Sequence, residues 1–253
     1  MARRPVVSPR VRSFRWQDSH RLIPSLFSEG GTVLSTVAGN AKELEDLVLL
    51  DGATNDRVQS EQRGAIGIST FELVYGVPNA HVVNAAYAHP NESGGRFNDN
   101  MRGAWYAAQS QEASIAEVVY HKGRRLNDIV VPGQPGNRPQ RDVSTYDDWL
   151  ADFKAEFHVL DPPEGFAGFL EPEPVPQCYA ASQGLAHRLL NEGSNGLVYP
   201  SVRYPGANCI VCFRPALVHD PHRSERLEIS LTANDRGYDY ATRVMPPGDR
   251  RLT

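Results

Sequence analysis

The sequence predicts a mixed α/β protein in which short strands and a few helices are joined by many loops. Short apolar runs typical of strands occur at 103–108, 196–199 and 208–213, whereas 110–122 and 177–192 have helical spacing. The chain contains 21 glycines and 19 prolines, which interrupt regular elements often. Its 253 residues suit one large domain, or one domain with an extension.

Composition and charge narrow the class of protein. Hydrophobic residues make up 40% and charged residues 22%, which is typical of a globular protein. No apolar run approaches the roughly 18 residues of a membrane-spanning helix, and no signal-peptide core follows the start. The three cysteines favour a reducing, cytoplasmic location over a disulfide framework. The formal net charge of −4 argues against a body that binds nucleic acid directly.

The first 65 residues are predicted to be an extension that supports the main domain. Residues 1–21 contain six arginines and one acidic residue, Asp18. This pattern is typical of a solvated terminal arm, or of an arm that binds an acidic partner. A strand is predicted at 32–37 and a helix at 41–50, with no residues that indicate chemistry.

The predicted elements of the middle and the end of the chain are short. We expect a strand at 80–87 and an exposed insertion, rich in Asp, Arg, Pro and Gly, at 124–148. A strand at 156–160 precedes residues 165–176, which should be irregular because residues before proline avoid the helical region. From Arg226, alternating apolar residues predict a strand that pairs with residues 238–244. The last residues, 246–253, are predicted to be a loose tail.

Two cysteines form a CxxC pair, Cys209 and Cys212, and are followed by His219 and His222. Four such ligands can hold zinc, but residues three apart on a strand face opposite sides. We therefore expect buried cysteines and no metal site. A Gly-rich phosphate loop, the Walker pattern and a GxSxG elbow do not occur. Taken alone, Ser201 is either a turn serine, which is the commoner case, or a nucleophile.

The stretch 94–122 carries most of the candidate chemistry. It opens with two glycines that let the backbone approach a ligand closely, followed by Arg96. Arg96 is either a surface turn residue or a planar cation that grips a phosphate or carboxylate. Tyr106, in the following strand, is either a core tyrosine or a stacking platform for a flat ligand.

The helix that follows this strand presents a carboxylate and an imidazole. Ser110 is typical of an N-cap, and Ile115 and Val118 belong to a buried stripe. Glu117 and His121 are four residues apart and therefore share another face. Both are surface residues or members of a site, and an inward-facing carboxylate would need a partner or a function. A cation, a phenol and a carboxylate together suit a ligand with phosphates, a flat ring and a sugar.

Three motifs in this order and spacing resemble the RES-domain proteins, which are toxins of the RES–Xre toxin–antitoxin systems. They are GGRFN with Arg96, WYAAQSQEASIAEVVYH with Tyr106, Glu117 and His121, and SNGLVYPSVRYPG with Ser201. The resemblance covers roughly residues 66 to 220. One departure is Phe97, where many relatives carry Trp.

The resemblance implies an ADP-ribosyltransferase-like fold, with a split, mostly antiparallel sheet, flanking helices and an NAD cleft. It divides the chain into an extension over 1–65, a RES domain over 66–220, and C-terminal strands with a loose tail over 221–253. The implied site comprises Arg96 on a phosphate, Tyr106 on the nicotinamide side, Glu117 at the ribose, Ser201 on the ligand or Glu117, and His121 in support.

The resemblance also implies an activity and a partner. RES-domain toxins consume NAD⁺ by cleaving the nicotinamide–ribose bond, through hydrolysis or through phosphorolysis with phosphate as co-substrate. An Xre-like antitoxin neutralises them and supplies any contact with nucleic acid. Two alternatives stay open: a mono-ADP-ribosyltransferase that modifies a protein through the same site, and a non-catalytic module that binds a nucleotide or a partner. Homodimerisation also stays open.

Overall fold

The computed structural model describes residues 8–28 and 67–246. The strand and helix predicted at 32–37 and 41–50 lie outside these residues, as does most of the predicted loose tail. Within the described part, the chain forms seven strands and several helices that flank them. The predicted class, a mixed α/β fold with a mostly antiparallel sheet and flanking helices, is confirmed.

The element bounds are as follows. The strands are β1 (Arg10–Pro24), β2 (Trp105–Ala108), β3 (Arg141–Val159), β4 (Gly196–Pro200), β5 (Asn208–Cys212), β6 (His219–Asn234) and β7 (Gly237–Val244). The α-helices are α1 (Ser25–Ser28), α2 (Ala80–Ala88), α3 (Gln111–Asp128) and α4 (Ala180–Asn191). Short 3₁₀ segments lie at Thr70–Glu72, Pro135–Asn137, Pro163–Phe169, Gln177–Tyr179 and Pro215–Leu217.

The sheet has the order β1-β2-β5-β4-β3-β6-β7, and β1 also pairs with β3. This extra pairing closes β1, β2, β5, β4 and β3 into a ring, while β6 and β7 extend from β3. The pairing of β3 with β4 is parallel, and the other pairings of the described strands are antiparallel. The 19-residue strand β3 belongs both to the ring and to its extension. It pairs with β6 along its first part and with β4 at its end.

The free basic arm predicted at 1–21 is wrong for residues 10–21, which belong to β1. Arg10 pairs with Val159 at one end of this strand, and Pro24 pairs with Tyr146 at the other. Strands of the same sheet thus come from each of the three predicted segments, 1–65, 66–220 and 221–253. The segment boundaries themselves stay a prediction.

Two further predictions need correction. Residues 80–88 form helix α2 and not a strand, because Val82, Val83 and Tyr87 lie on one face and are buried against the sheet. The insertion predicted at 124–148 is regular at both ends, where α3 and β3 occupy it, and only its middle is an exposed loop. The predicted pairing of the last two strands is confirmed, with Leu227 opposite Val244.

Three apolar clusters hold the fold together. The first fills the ring of strands around Trp105, Trp149 and Phe153 and is covered by α2. The second lies between the other face of β2, β4 and β5 and helix α4, around Phe97 and Leu185. In the third, α3 packs on β6. Because burial of apolar surface stabilises by about 25 cal/mol per Å², these clusters fix α3 and α4 on the sheet, and both helices carry site residues.

Candidate functional site

The loop that presents Arg96 is shaped by hydrogen bonds to Tyr106. The Tyr106 hydroxyl donates to Asn98 Oδ1 at 2.8 Å and accepts from the Phe97 backbone N–H at 2.9 Å. A Cβ at Gly95 would lie 2.8 Å from the Tyr106 hydroxyl, so the turn can lie against the phenol only with glycine there. Tyr106 therefore anchors the Arg96 loop to β2, and its burial raises its pKa.

A residue of α4 holds the same loop from the other side. The Gln183 amide donates to the backbone oxygens of Ser93, Gly95 and Asn98 at 3.1, 2.9 and 3.1 Å. A shallow groove of about 590 Å³ lies beside this clamp, on the outer side of α4, and Asp99 and His187 contribute to its lining. None of the predicted site residues lines that groove, so it is separate from the candidate site.

The Arg96 side chain is 8% exposed and held in one orientation. Its Nη1 donates to the backbone oxygens of Glu171 at 2.8 Å and Phe169 at 3.4 Å, and its guanidinium stacks on the Tyr179 ring at 5.0 Å. The Nε and Nη2 groups have no partner among the described residues. These two donors remain available to an anion, which is what an anion-binding arginine requires.

Helix α3 delivers Glu117 and His121 to the same region. The helix begins after Ser110, whose hydroxyl accepts from the Ala113 backbone N–H at 3.3 Å, as predicted for an N-cap. Ile115 packs into the third cluster, so the residues on the opposite face point away from β6. On that face the Glu117 Oε2 atom lies 3.7 Å from His121 Nε2, which confirms that the two share a face.

The Glu117 carboxylate has two cations nearby and no hydrogen bond from the protein within the described ranges. Burial raises its pKa, and the charges of Arg203 and Arg96 oppose that increase. A carboxylate that is two-thirds buried and has no hydrogen bond from the protein is unusual, because water or a partner normally stabilises the charge. Such a group is typical of a functional site.

His121 is uncharged at neutral pH. Burial lowers its pKa to about 4, and the charges of Arg203, Arg125, Arg124 and Arg96 act in the same direction. The imidazole therefore neither balances the Glu117 charge nor adds a cation to the site. It can act as a neutral hydrogen-bond donor or acceptor beside the carboxylate.

Ser201 is buried and organises the turn after β4. Its hydroxyl accepts from the backbone N–H groups of Tyr204 at 3.1 Å and Arg203 at 3.4 Å, and its own N–H donates to Ala207 O at 2.8 Å. Ser201 thus lies two residues before Arg203, whose charge lowers the pKa of Glu117. Its contacts hold the turn, and none of them reaches the Glu117 carboxylate.

Arg203 is a member of this region that the sequence reasoning did not single out. Its guanidinium lies 3.4 Å from the centre of the Tyr120 ring, and its Nη2 donates to Pro172 O at 2.6 Å. It is also the strongest cationic influence on the pKa of Glu117. Its position two residues after Ser201, in the SVR sequence, was a usable signal, because an arginine in a predicted site turn can bind a phosphate or a carboxylate.

The two strand cysteines are buried on opposite sides of β5. Cys209 belongs to the second apolar cluster and Cys212 to the first, as predicted from their spacing. Burial raises their thiol pKa values to about 12 and about 11. In residues 8–28 and 67–246, no group of three or more His, Cys, Asp or Glu side chains could hold a metal ion.

The fold is a mixed α/β domain, and Arg96, Glu117, His121 and Arg203 form a candidate polar site on it, because their charges act on one another. A sequence model of the RES domain family matches residues 73–232, and the chain belongs to that family. A search of curated proteins gives no match. The M. tuberculosis MbcT–MbcA toxin–antitoxin complex is a solved structure that matches at 12% identity. That match covers 53% of this chain and 71% of the other, with a TM-score of 0.36.

None of the helices in the described part is long and apolar enough to cross a membrane.

Proposed function

We propose that the protein is an NAD⁺-degrading toxin of a toxin–antitoxin pair, which cleaves the nicotinamide–ribose bond. The observation that carries this proposal is the unpaired Glu117 carboxylate, flanked by Arg96 and Arg203. Membership of the RES domain family supports it as well. The partner would be an Xre-type antitoxin that covers the cleft, and the place of action would be the cytoplasm.

The residues fit the chemistry of this bond. When it breaks, the electron pair leaves with nicotinamide, and positive charge develops on the ribose. The Glu117 carboxylate would stabilise that charge, because a partly buried anion interacts more strongly with a developing cation than a fully solvated one does. Arg96 would bind a phosphate of NAD⁺ through its free Nε and Nη2 groups. Water then adds to the ribose and releases a proton, or phosphate adds in its place.

Three further predicted site residues have supporting roles in this proposal. Tyr106 shapes the Arg96 loop and would line the nicotinamide side. Ser201 holds the turn that carries Arg203 and would contact the ligand. His121, uncharged at neutral pH, would orient the Glu117 carboxylate from one helical turn away.

Release of nicotinamide from NAD⁺ tests the proposal. The wild-type chain is incubated with NAD⁺, with and without phosphate, and products are separated by chromatography. Glu117→Gln should lower the rate by about 100-fold or more, whereas Glu112→Gln, an exposed residue of the same helix, should keep it. Free ADP-ribose indicates hydrolysis, and its phosphorylated form indicates phosphorolysis. No release by the wild type, or equal release by Glu117→Gln, would contradict the proposal.

The same site could transfer ADP-ribose to a protein. Radiolabelled NAD⁺ added to a cell lysate separates the two activities, because protein-bound label indicates a mono-ADP-ribosyltransferase and free product indicates degradation. A purely partner-binding module that uses a basic arm has less support, since residues 10–24 are paired within the sheet. Copurification with the product of the neighbouring gene tests the antitoxin partner.

A further inference from the structure

Arg203 and Arg96 are held in the same way, although they come from different parts of the chain. Each guanidinium stacks on a tyrosine, Arg203 on Tyr120 and Arg96 on Tyr179. Each also donates to backbone oxygens of one short segment, residues 169–172. Stacking and a single-sided hydrogen bond fix a planar cation and leave its other N–H groups free.

Neither arginine is neutralised by a close carboxylate. Within residues 8–28 and 67–246, no Asp or Glu oxygen lies within 4.0 Å of a nitrogen of Arg96 or Arg203. Glu117 interacts with both arginines through space, and the negative charge of Glu173 acts on Arg203 as well, but neither carboxylate forms a close ion pair with them. Burial lowers the pKa of Arg203, and the more distant charges of Glu117 and Glu173 oppose this only in part.

We propose that Arg203 is a second anion-binding residue of this site, and that Arg203 and Arg96 together select ligands that carry two linked phosphates. The inference rests on the proposed function, because it concerns the same cleft. Its chemical basis is that one guanidinium grips one phosphate through two parallel hydrogen bonds, so a diphosphate engages both arginines. Nucleoside diphosphates and dinucleotides joined by a diphosphate are the ligand class that this geometry fits.

Glu173 adds a second element, which opposes anion binding. It directly follows the segment that bonds both arginines, its carboxylate accepts a hydrogen bond from the Tyr120 hydroxyl, and its negative charge acts on Arg203. In the free protein, Glu173 thus supplies part of the negative charge that a phosphate would supply in the complex. A ligand phosphate competes with it, and removal of its charge favours the ligand.

Calorimetric titration with ADP and AMP tests this inference without relying on catalysis. Arg203→Gln should weaken ADP binding about 10- to 100-fold, the effect of a lost charge-assisted interaction, and should weaken AMP binding much less. Glu173→Gln should change ADP affinity in the opposite direction and tighten ADP binding by about 2- to 5-fold. Arg236→Gln, in the exposed turn between β6 and β7, is the matched control and should bind both ligands as the wild type does.

Three outcomes would overturn the inference. They are equal losses for ADP and AMP in Arg203→Gln, unchanged ADP binding in that variant, and no ADP binding by the wild type. Thermal unfolding of each variant, together with partial rescue of ADP binding in Arg203→Lys, separates lost contact from lost fold. If the wild type binds ADP as expected but releases no nicotinamide from NAD⁺, the proposed function fails and the second anion-binding residue stands.

Discussion

The Glu117 carboxylate and the His121 imidazole are 3.7 Å apart, and yet they do not form an ion pair at neutral pH. An ion pair would lower the pKa of the acid and raise that of the base. Here burial raises the pKa of Glu117 and lowers that of His121 to about 4. The contact is therefore between an anion and a neutral ring, which leaves the carboxylate charge for a ligand.

The pH dependence of NAD⁺ cleavage should show this raised pKa. Activity needs ionised Glu117, so it should be lost as the pH falls through a midpoint above the ordinary value of 4.5. In Arg203→Gln the midpoint should move to still higher pH, because the Arg203 charge lowers the pKa of Glu117. Values of kcat/KM, measured at NAD⁺ concentrations well below KM between pH 4 and 8, report the pKa of Glu117 in the free enzyme and check both shifts. A midpoint at or below the ordinary value, or a shift in the opposite direction, would contradict the assignment.

Glu117→Gln should stabilise the folded protein at neutral pH, although it slows NAD⁺ cleavage. A raised pKa means that folding disfavours the ionised carboxylate, so a neutral amide of the same shape removes that cost. We expect a gain of about 0.5 to 1 kcal/mol, small because the side chain is partly exposed. The gain should decrease as the pH falls through the raised folded-state pKa of Glu117, and it should vanish below the ordinary value of 4.5, where the carboxyl is protonated in both states.

Urea unfolding at pH 7.5 and pH 4 measures this effect. Glu112→Gln is the control, because Glu112 is exposed in the first turn of α3 and interacts favourably with the helix dipole. That variant should be no more stable than the wild type. Equal stabilisation by both changes would point to a general effect of charge removal and not to a desolvated Glu117.

The local half of the site could be predicted from the sequence, because short-range rules fix it. The N-cap at Ser110 and the shared face of Glu117 and His121 follow from helical spacing alone, and the structure confirms them. The pairing of the last two strands could be predicted because apolar and polar residues alternate along the chain from Arg226. Short apolar runs are less informative, since the run at 80–88 suits a strand or a buried helix, and packing on the sheet selects the helix.

The long-range half could not be predicted, because tertiary pairing decides it. The arginines of β1 suggest a solvated arm, but Phe14 and Trp16 pack on the core, while Arg15 between them is exposed. An alternation of charged and aromatic residues is a strand signal that high charge conceals. Arg203 was missed for a similar reason, since only the fold brings residue 203 beside Glu117.

His121 should make folding stability depend on pH in a defined window. Its pKa is about 4 in the folded state and about 6.5 when unfolded. Between these values the unfolded state binds more protons, so this residue lowers stability as the pH falls from about 6.5 toward 4. His121→Gln should reduce that slope and leave stability at pH 7.5 nearly unchanged.

Urea unfolding at pH 7.5, 6.0 and 5.0 checks this, with the difference between variants as the readout. His187→Gln replaces an exposed histidine of α4 and controls for the loss of an imidazole as such. A slope that is the same in wild type and His121→Gln would show that the His121 ring is solvated in the folded protein.

Gly95→Ala should disable the site from the supporting side, without touching any charged residue. The new methyl group would meet Asn98 Oδ1 at 2.6 Å and the Tyr106 hydroxyl at 2.8 Å, so the loop must move away from its anchor and carry Arg96 with it. Such overpacking costs about 1 to 3 kcal/mol. We expect weaker ADP binding and slower NAD⁺ cleavage, and circular dichroism should show that the protein is still folded.

Gly184→Ala in α4 is the control. A methyl group there meets nothing within 4 Å, so this variant should keep ADP binding and add about 0.5 to 1 kcal/mol to the free energy of unfolding. If Gly95→Ala bound ADP as Gly184→Ala does, the hydrogen bonds between the Arg96 loop and Tyr106 would not be what positions Arg96.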